Sequence, residues 1–246
     1  MAAYTSFQTI LPDPNNGYAA GGQVSSTVAD KGPGFSSVNI SSGTPIQVSR
    51  TNSGRVITRS AAGHKYDIKI QYNPMTREQF EPIYSFLLQQ NGRLNPFFVQ
   101  LPQQYTSRNT AFGTHAASNT ISNVGLLTQG SDFMVQAGHS TVQTTTPQLG
   151  DMFTITDAND SLHKKSYRIT RVMTRDNYHS GLHSNPTTAQ RIIYFNPPLQ
   201  RKVAATQTIN YDKPLFRVIL KNDIQSYSLG VNNLFSFSLD LEEAQA

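Results

Sequence analysis

One stretch alone carries a helical period. In "TREQFEPIYSFLLQQNG", residues 76–92, apolar side chains recur at Phe80, Ile83, Tyr84, Leu87 and Leu88. That i, i+3, i+4, i+7, i+8 spacing lines one face of a helix. Around it, short runs alternate apolar and polar residues between turns. "HKYDIKIQY" (64–72) sets Tyr66, Ile68, Ile70 and Tyr72 on one face and Lys65, Asp67, Lys69 and Gln71 on the other. Strict alternation of this kind reads as a half-buried strand. A chain with one amphipathic helix among many period-two runs is therefore expected to be mainly β, with the helix packed on a sheet.

The helix carries its own punctuation. Thr76 and, three residues later, Gln79 make a capping box, in which each side chain can satisfy a backbone N–H of the first turn. Gly92 stands where a left-handed residue past the C-terminus is wanted. Pro82 conflicts with both signals, since it removes the hydrogen bond to Glu78 and costs up to ~3 kcal/mol. Either the helix kinks there, or Thr76–Glu81 is an irregular first turn. "PFFVQLP" (96–102) follows as a short strand with proline at each end, which marks an edge or a bend. Phe80, Ile83, Leu87, Phe97 and Phe98 are the expected packing core of helix and sheet.

Residues 1–45 are rich in Gly, Pro, Ser and Asn and read as an N-terminal arm that wraps over something or orders on assembly. "QVSRTNSGRVITRS" (47–60) reads as two polar strands around the turn Asn52-Ser53-Gly54. Between 107 and 206 the texture shifts to Thr, Ser and Asn with scattered strands: "GDMFTITD", "SYRITRVM" and "RIIYFNPPL". This block is expected to be an inserted small antiparallel β-barrel or sandwich domain. Alternation resumes in "LFRVILKN" (215–222) and "LFSFSLDLEEA" (234–244). Residues 46–106 and 207–246 thus read as one discontinuous domain interrupted by the block, an arrangement that surface loops tolerate well.

Composition removes several classes of function. Cysteine is absent, which excludes disulfides, thiolate metal sites and a cysteine nucleophile. The N-terminus has no basic region followed by an apolar run, and no stretch of 18 apolar residues occurs. A protein made in a cytoplasm, with no membrane association, is the expectation. The net charge of +5 is diffuse: 109–205 holds 8 basic and 5 acidic residues, the remainder 12 and 10. The densest cluster, "HKKSYRITRVMTR" (163–175), alternates with apolar residues as the solvent side of a strand would.

No catalytic or metal template is filled. "HSGLH" (179–183) has the i, i+4 histidine spacing of a zinc helix, but Ser180-Gly181 and Asn185-Pro186 make it a loop. "DANDS" (157–161) lacks the glycine and distal glutamate of a calcium loop. Glutamate occurs only at 78, 81, 242 and 243, and nothing pairs these or Asp67, Asp151 and Asp240 across a cleft. G-x-S-x-G, Walker and dinucleotide fingerprints are missing. The expectation is no enzyme, no cofactor and no metal.

The sequence resembles the minor tail protein M family of lambda-like phages, related in fold to distal tail proteins. The resemblance lies in the strand Tyr66–Tyr72, Pro74, Arg77-Glu78, Phe86-Leu87, Gly92, Phe97-Phe98 and Pro102. "SYSLGVNNLFSFSLDLEEA" (226–244) is similar to the family's closing strands. It covers 46–106 and 207–246, about 100 residues; the family has a shorter N-terminus and no block like 107–206. It implies a tail-tube-like β-sandwich flanked by one α-helix, six copies of which close into a ring at the virion tail tip. Such a ring joins the tail tube protein to a trimeric hub or baseplate and leaves a channel through which DNA passes. Subunit contacts are expected from the hairpin residues Arg50, Asn52, Ser53, Gly54 and Arg55, and from the N-terminal arm. Two alternatives stand beside it. One is a carbohydrate-binding or host-adhesion module of a virion, with Tyr167, Tyr178 and Tyr194 as available rings. The other is a single-strand nucleic-acid barrel, using Phe153, Tyr167 and Tyr194 beside Lys164, Lys165, Arg168 and Arg171.

Overall fold

A computed structural model describes residues 10–12, 17–18, 24–25, 34–60, 63–104, 106–160, 163–178, 184–223, 225–230 and 232–244. The chain divides into two compact units, Met1–Val99 with Arg217–Ala244, and Gln100–Phe216 with Gln245–Ala246. The first opens with a small ladder, β1 (Gly17–Tyr18) and β2 (Val24–Ser25), then β3 (Phe35–Gly43), β4 (Ile46–Arg50), β5 (Val56–Ser60) and β6 (Lys65–Tyr72). Helix α1 (Arg77–Gln89) and β7 (Phe97–Gln100) follow. The second unit carries α2 (Thr110–Ser118), β8 (Ile121–Asn123), β9 (Phe133–Ala137), β10 (Met152–Thr156), β11 (Ser166–Met173), β12 (Arg191–Asn196) and β13 (Thr208–Asn210). Strand β14 (Leu215–Leu220) leads back to the first unit, where β15 (Ser228–Leu229), β16 (Phe235–Ser236) and β17 (Ser238–Glu243) complete the chain.

In the first unit, β3-β6-β17-β14-β7 form a five-stranded sheet. Its register follows from the alternation. Ile70 faces Val38 on one side and Leu239 on the other, and Ile68 faces Ile40 and Leu241. One face is therefore continuously apolar, and α1 contributes to burying it. Phe80 is stacked on Phe235 at 4.6 Å and meets Phe237 edge-on at 5.7 Å, while Phe86 meets Phe97 at 5.4 Å. Aromatic pairs in these geometries add ~0.5–1.5 kcal/mol each beyond area burial. The opposite face is polar. Lys69 lies 3.7 Å from Asp240 and Lys221 3.0 Å from Asp67; both pairs are half-exposed and contribute little to stability.

Helix α1 begins where the capping box puts it, with Gln79 Oε1 accepting the Thr76 N–H at 3.1 Å. It runs from Arg77 through Pro82, so the irregular-first-turn alternative does not hold. At the C-terminus Asn91 (φ 53°) and Gly92 (φ 67°) are both left-handed, so Asn91 takes the first such position. The buried stripe is Phe80, Ile83, Phe86 and Leu87. Leu88 is exposed and Tyr84 half-buried, a correction to the expected stripe: the core face is rotated toward Phe86. Phe98 also differs from expectation. In β7 the parity that buries Phe97 and Val99 turns Phe98 to the other side, where it is half-buried and its carbonyl accepts the Leu11 N–H at 2.8 Å. Strand β3 falls within the segment read as an arm. Serine and asparagine at its exposed positions hide a nine-residue strand from an apolar-pattern reading.

In the second unit, β10-β11-β12-β9-β8-β13 close into an antiparallel barrel. Closure leaves no unpaired edge. Its interior is filled by side chains that include Phe153, Tyr167, Ile193, Phe195 and Tyr211. The sequence boundary at 206/207 falls before β13, the strand that closes the ring between β10 and β8. The reading of a single helix is also corrected. Helix α2 is short and rich in Ala and Thr, and Phe112 is its one buried residue, so it has no apolar stripe to detect. Asn109 caps it, accepting the Phe112 N–H at 3.4 Å, and the Phe112 ring joins the barrel core 4.9 Å from Tyr211.

Phe237 is buried at 4% exposure among the rings of Tyr72, Phe80 and Tyr84. Phe237→Ala is expected to destabilise the first unit by roughly 3–5 kcal/mol. Phe98→Ala should cost visibly less, because its ring is only half-buried. Urea unfolding followed by circular dichroism measures both; equal losses would mean that the assigned core parity is wrong.

Candidate functional site

Strands β4 and β5 form an antiparallel hairpin paired from Ile46↔Ser60 to Arg50↔Val56. The turn is built locally. The Gly54 N–H donates to the Thr51 carbonyl at 2.9 Å, the Thr51 N–H to the Arg55 carbonyl at 3.0 Å, and the Arg55 N–H to Thr51 Oγ1 at 3.1 Å. Gly54 sits at φ +83°, the left-handed position that ends a three-residue hairpin loop. The turn thus gathers Arg50, Asn52, Ser53, Gly54 and Arg55, the five residues singled out from the sequence, at one exposed tip.

Every residue from Thr44 to Arg59 is exposed. Ile46 (58%), Val48 (61%) and Val56 (50%) lie on one face of the hairpin, and Ile57 (51%) lies on the other. A two-stranded hairpin is marginally stable in water unless a sheet or helix covers it, and among the described residues nothing covers either face. Residues 34–60 also contain three arginines (Arg50, Arg55, Arg59) and no acidic residue. Beside the hairpin in sequence, β3 is the terminal strand of its sheet, with an outer edge that no described strand pairs. The four aliphatic side chains were missed in the sequence reading. Their alternation at 46 and 48 is visible in the sequence, but only the tertiary structure shows that no described residue covers either face.

The residues with possible chemistry are dispersed. His64 bonds Ser42 Oγ at 2.7 Å, His115 the Gly138 carbonyl at 2.9 Å, His139 Gln136 Oε1 at 3.2 Å and His163 the Tyr167 hydroxyl at 2.8 Å. His179 and His183, the "HSGLH" pair, lie outside the described residues. Among the described residues no three metal-ligating side chains gather, and no helix is long and apolar enough to cross a membrane. Asp151 is buried, but its carboxylate is occupied by the N–H groups of Arg108 and Gln148 and by the Ser107 hydroxyl. Phe153 and Tyr167 are fully buried in the barrel, which removes them as platforms for stacking bases, and Lys165 of the supposed solvated face is buried too.

No family model matches this chain, and no curated protein sequence matches it significantly.

His139 ties the barrel's stability to pH. Burial, reinforced by the Arg191 guanidinium and by His115, pushes its pKa down from 6.5 to about 3. His163 is lowered as well, chiefly by burial, against the opposing pull of Asp157 and Asp160. As pH falls, the unfolded chain takes up these protons first. The stability they represent is whole above pH 6.5 and is lost as pH falls below it, down to about 3 for His139, by up to ~1.4 kcal/mol per pH unit for each histidine. The melting temperature should drop between pH 7 and pH 4.5, and His139→Gln should make that slope shallower by about one proton. An unchanged slope would show that His139 is protonated in the fold.

Proposed function

We propose that this protein is a structural component of a bacteriophage tail tip or baseplate, a distal-tail-type ring protein. Six copies close around a channel, join the tail tube protein to a trimeric hub, and leave a path for DNA. The role is architectural rather than enzymatic, and assembly takes place in the host cytoplasm.

The observation that carries this reading is the uncovered hairpin β4–β5. Ile46, Val48 and Val56 make an aliphatic face that no described residue covers, and no described strand pairs the outer edge of the neighbouring β3. A cyclic, head-to-tail arrangement satisfies both at once, because each copy's hairpin can be covered by the next copy and the last closes on the first. The polar face of the five-stranded sheet, with Lys69–Asp240 and Lys221–Asp67 across its strands, suits a wall wetted by a water-filled channel. The motifs around α1 and the closing strands supply the tail-protein resemblance.

The double variant Ile46→Ser/Val48→Ser tests the reading. Both residues are exposed, so the isolated protein should melt within about 0.5 kcal/mol of the parent. Ring formation on a tail-tube template, seen by electron microscopy, should fail. Parent particles should show six copies per ring layer; any other number, or intact rings from the double variant, would overturn the proposal.

A further inference from the structure

The barrel carries a feature that ring formation does not use. Between Ile169 and Arg171 the register of β11 against β12 shifts, and Thr170 has no partner. Bulges bend a strand and re-aim its side chains. Here Thr170 and Arg171 both face outward. Against them lies the loop Pro147-Gln148-Leu149, and an open groove of about 460 Å³ runs between.

Two guanidinia line this groove, Arg108 and Arg171, and no carboxylate does. Both are positioned. Arg108 Nη2 donates to Gln148 Oε1 at 3.0 Å, and the Arg171 guanidinium lies 5.5 Å from the centroid of the Tyr194 ring. Asp151, the acid next to the loop, is 4% exposed and already accepts the backbone N–H groups of Arg108 and Gln148. Among the described residues neither arginine makes an ion pair. Guanidinium presents a planar fork of donors that matches a carboxylate or phosphate. Two held arginines without a counter-charge in one concavity therefore favour an oxyanion.

The surroundings narrow what carries it. A nucleic acid needs free aromatic faces for its bases, but Phe153 and Tyr167 are inside the barrel and Arg171 lies over Tyr194. A peptide added as a strand needs an open edge, and the barrel is closed. The Thr170 hydroxyl and the Gln148 amide suit hydroxyl groups, and Pro147, Leu149 and Val172 offer aliphatic surface to C–H faces. We propose that this groove binds the carboxylate or phosphate groups of an anionic glycan polymer. The proposal is independent of ring closure and needs only the isolated full chain.

Isothermal titration at low salt with four probes tests it: oligogalacturonate, phosphomannan, neutral dextran and oligothymidylate. At least one acidic glycan should bind about tenfold or more tightly than dextran and oligothymidylate. Arg108→Gln and Arg171→Gln should each weaken it about tenfold, the loss of one charged hydrogen bond. Lys202→Gln, an exposed basic position of the same unit outside the groove, should leave it unchanged. The tighter of the two acidic probes identifies the anion as carboxylate or phosphate. Both arginines are exposed, and circular dichroism verifies that the variants fold. The proposal fails if neither acidic glycan binds, if dextran or oligothymidylate binds as well, or if Lys202→Gln loses as much as the arginine variants.

Discussion

Unpaired strand edges govern this molecule. Every strand presents N–H and C=O groups that must find partners or water, and an uncovered edge is a template for another chain. The second unit resolves the constraint internally, its six strands closing on themselves with β13 joining β10 to β8. The first unit resolves it incompletely. Among the described residues its sheet ends at β3, and β4–β5 form a separate hairpin exposed on both faces. The contrast between a closed barrel and an open sheet is the physical basis for the proposals that assembly rests with one unit and ligand binding with the other.

The open sheet is held by an aromatic seam. Phe80 on α1 is stacked on Phe235 and packs beside Phe237 and Tyr227, and Phe237 in turn meets Tyr72 on β6. These rings fix α1 over the apolar face, so the polar face remains uncovered by the helix. Among the described residues few ion pairs contribute, and those on the polar face are half-exposed. Stability and surface chemistry are thereby separated: burial stabilises one side of the sheet, while the charges of the other remain available for hydration.

The hairpin tip was legible in the sequence because its cause is local. Asn52-Ser53-Gly54 between two alternating runs specifies a turn, and turn geometry fixes which residues gather there. The arginine groove was not legible. Arg108 and Arg171 are 63 positions apart in the chain, and what brings them to one concavity is the bulge in β11 together with the Gln148–Asp151 hydrogen bond that holds the loop. A bulge leaves little mark in a pattern of period two, since "SYRITRVM" reads equally well as an unbroken strand. Helix α2 was hidden for a related reason: its formation rests on the Asn109 cap and on a single ring inserted in the barrel.

By itself the sequence determined the local structure. The Tyr66–Tyr72 alternation, the Thr76/Gln79 cap, the helical stripe anchored by Phe80, Ile83 and Leu87, and the Gly54 turn each depend on residues within a few positions of one another. Propensity, capping and side-chain periodicity act at that range. Tertiary structure decided what those elements face. It turned Phe98 out and Phe86 in, placed the serine-rich β3 beside β6, used β13 to close a barrel, and left Ile46, Val48 and Val56 exposed. The physical reason is that burial is a property of pairs of surfaces. An alternating strand states which of its faces is apolar, but only the packing of distant segments determines whether that face is buried within the chain or remains exposed.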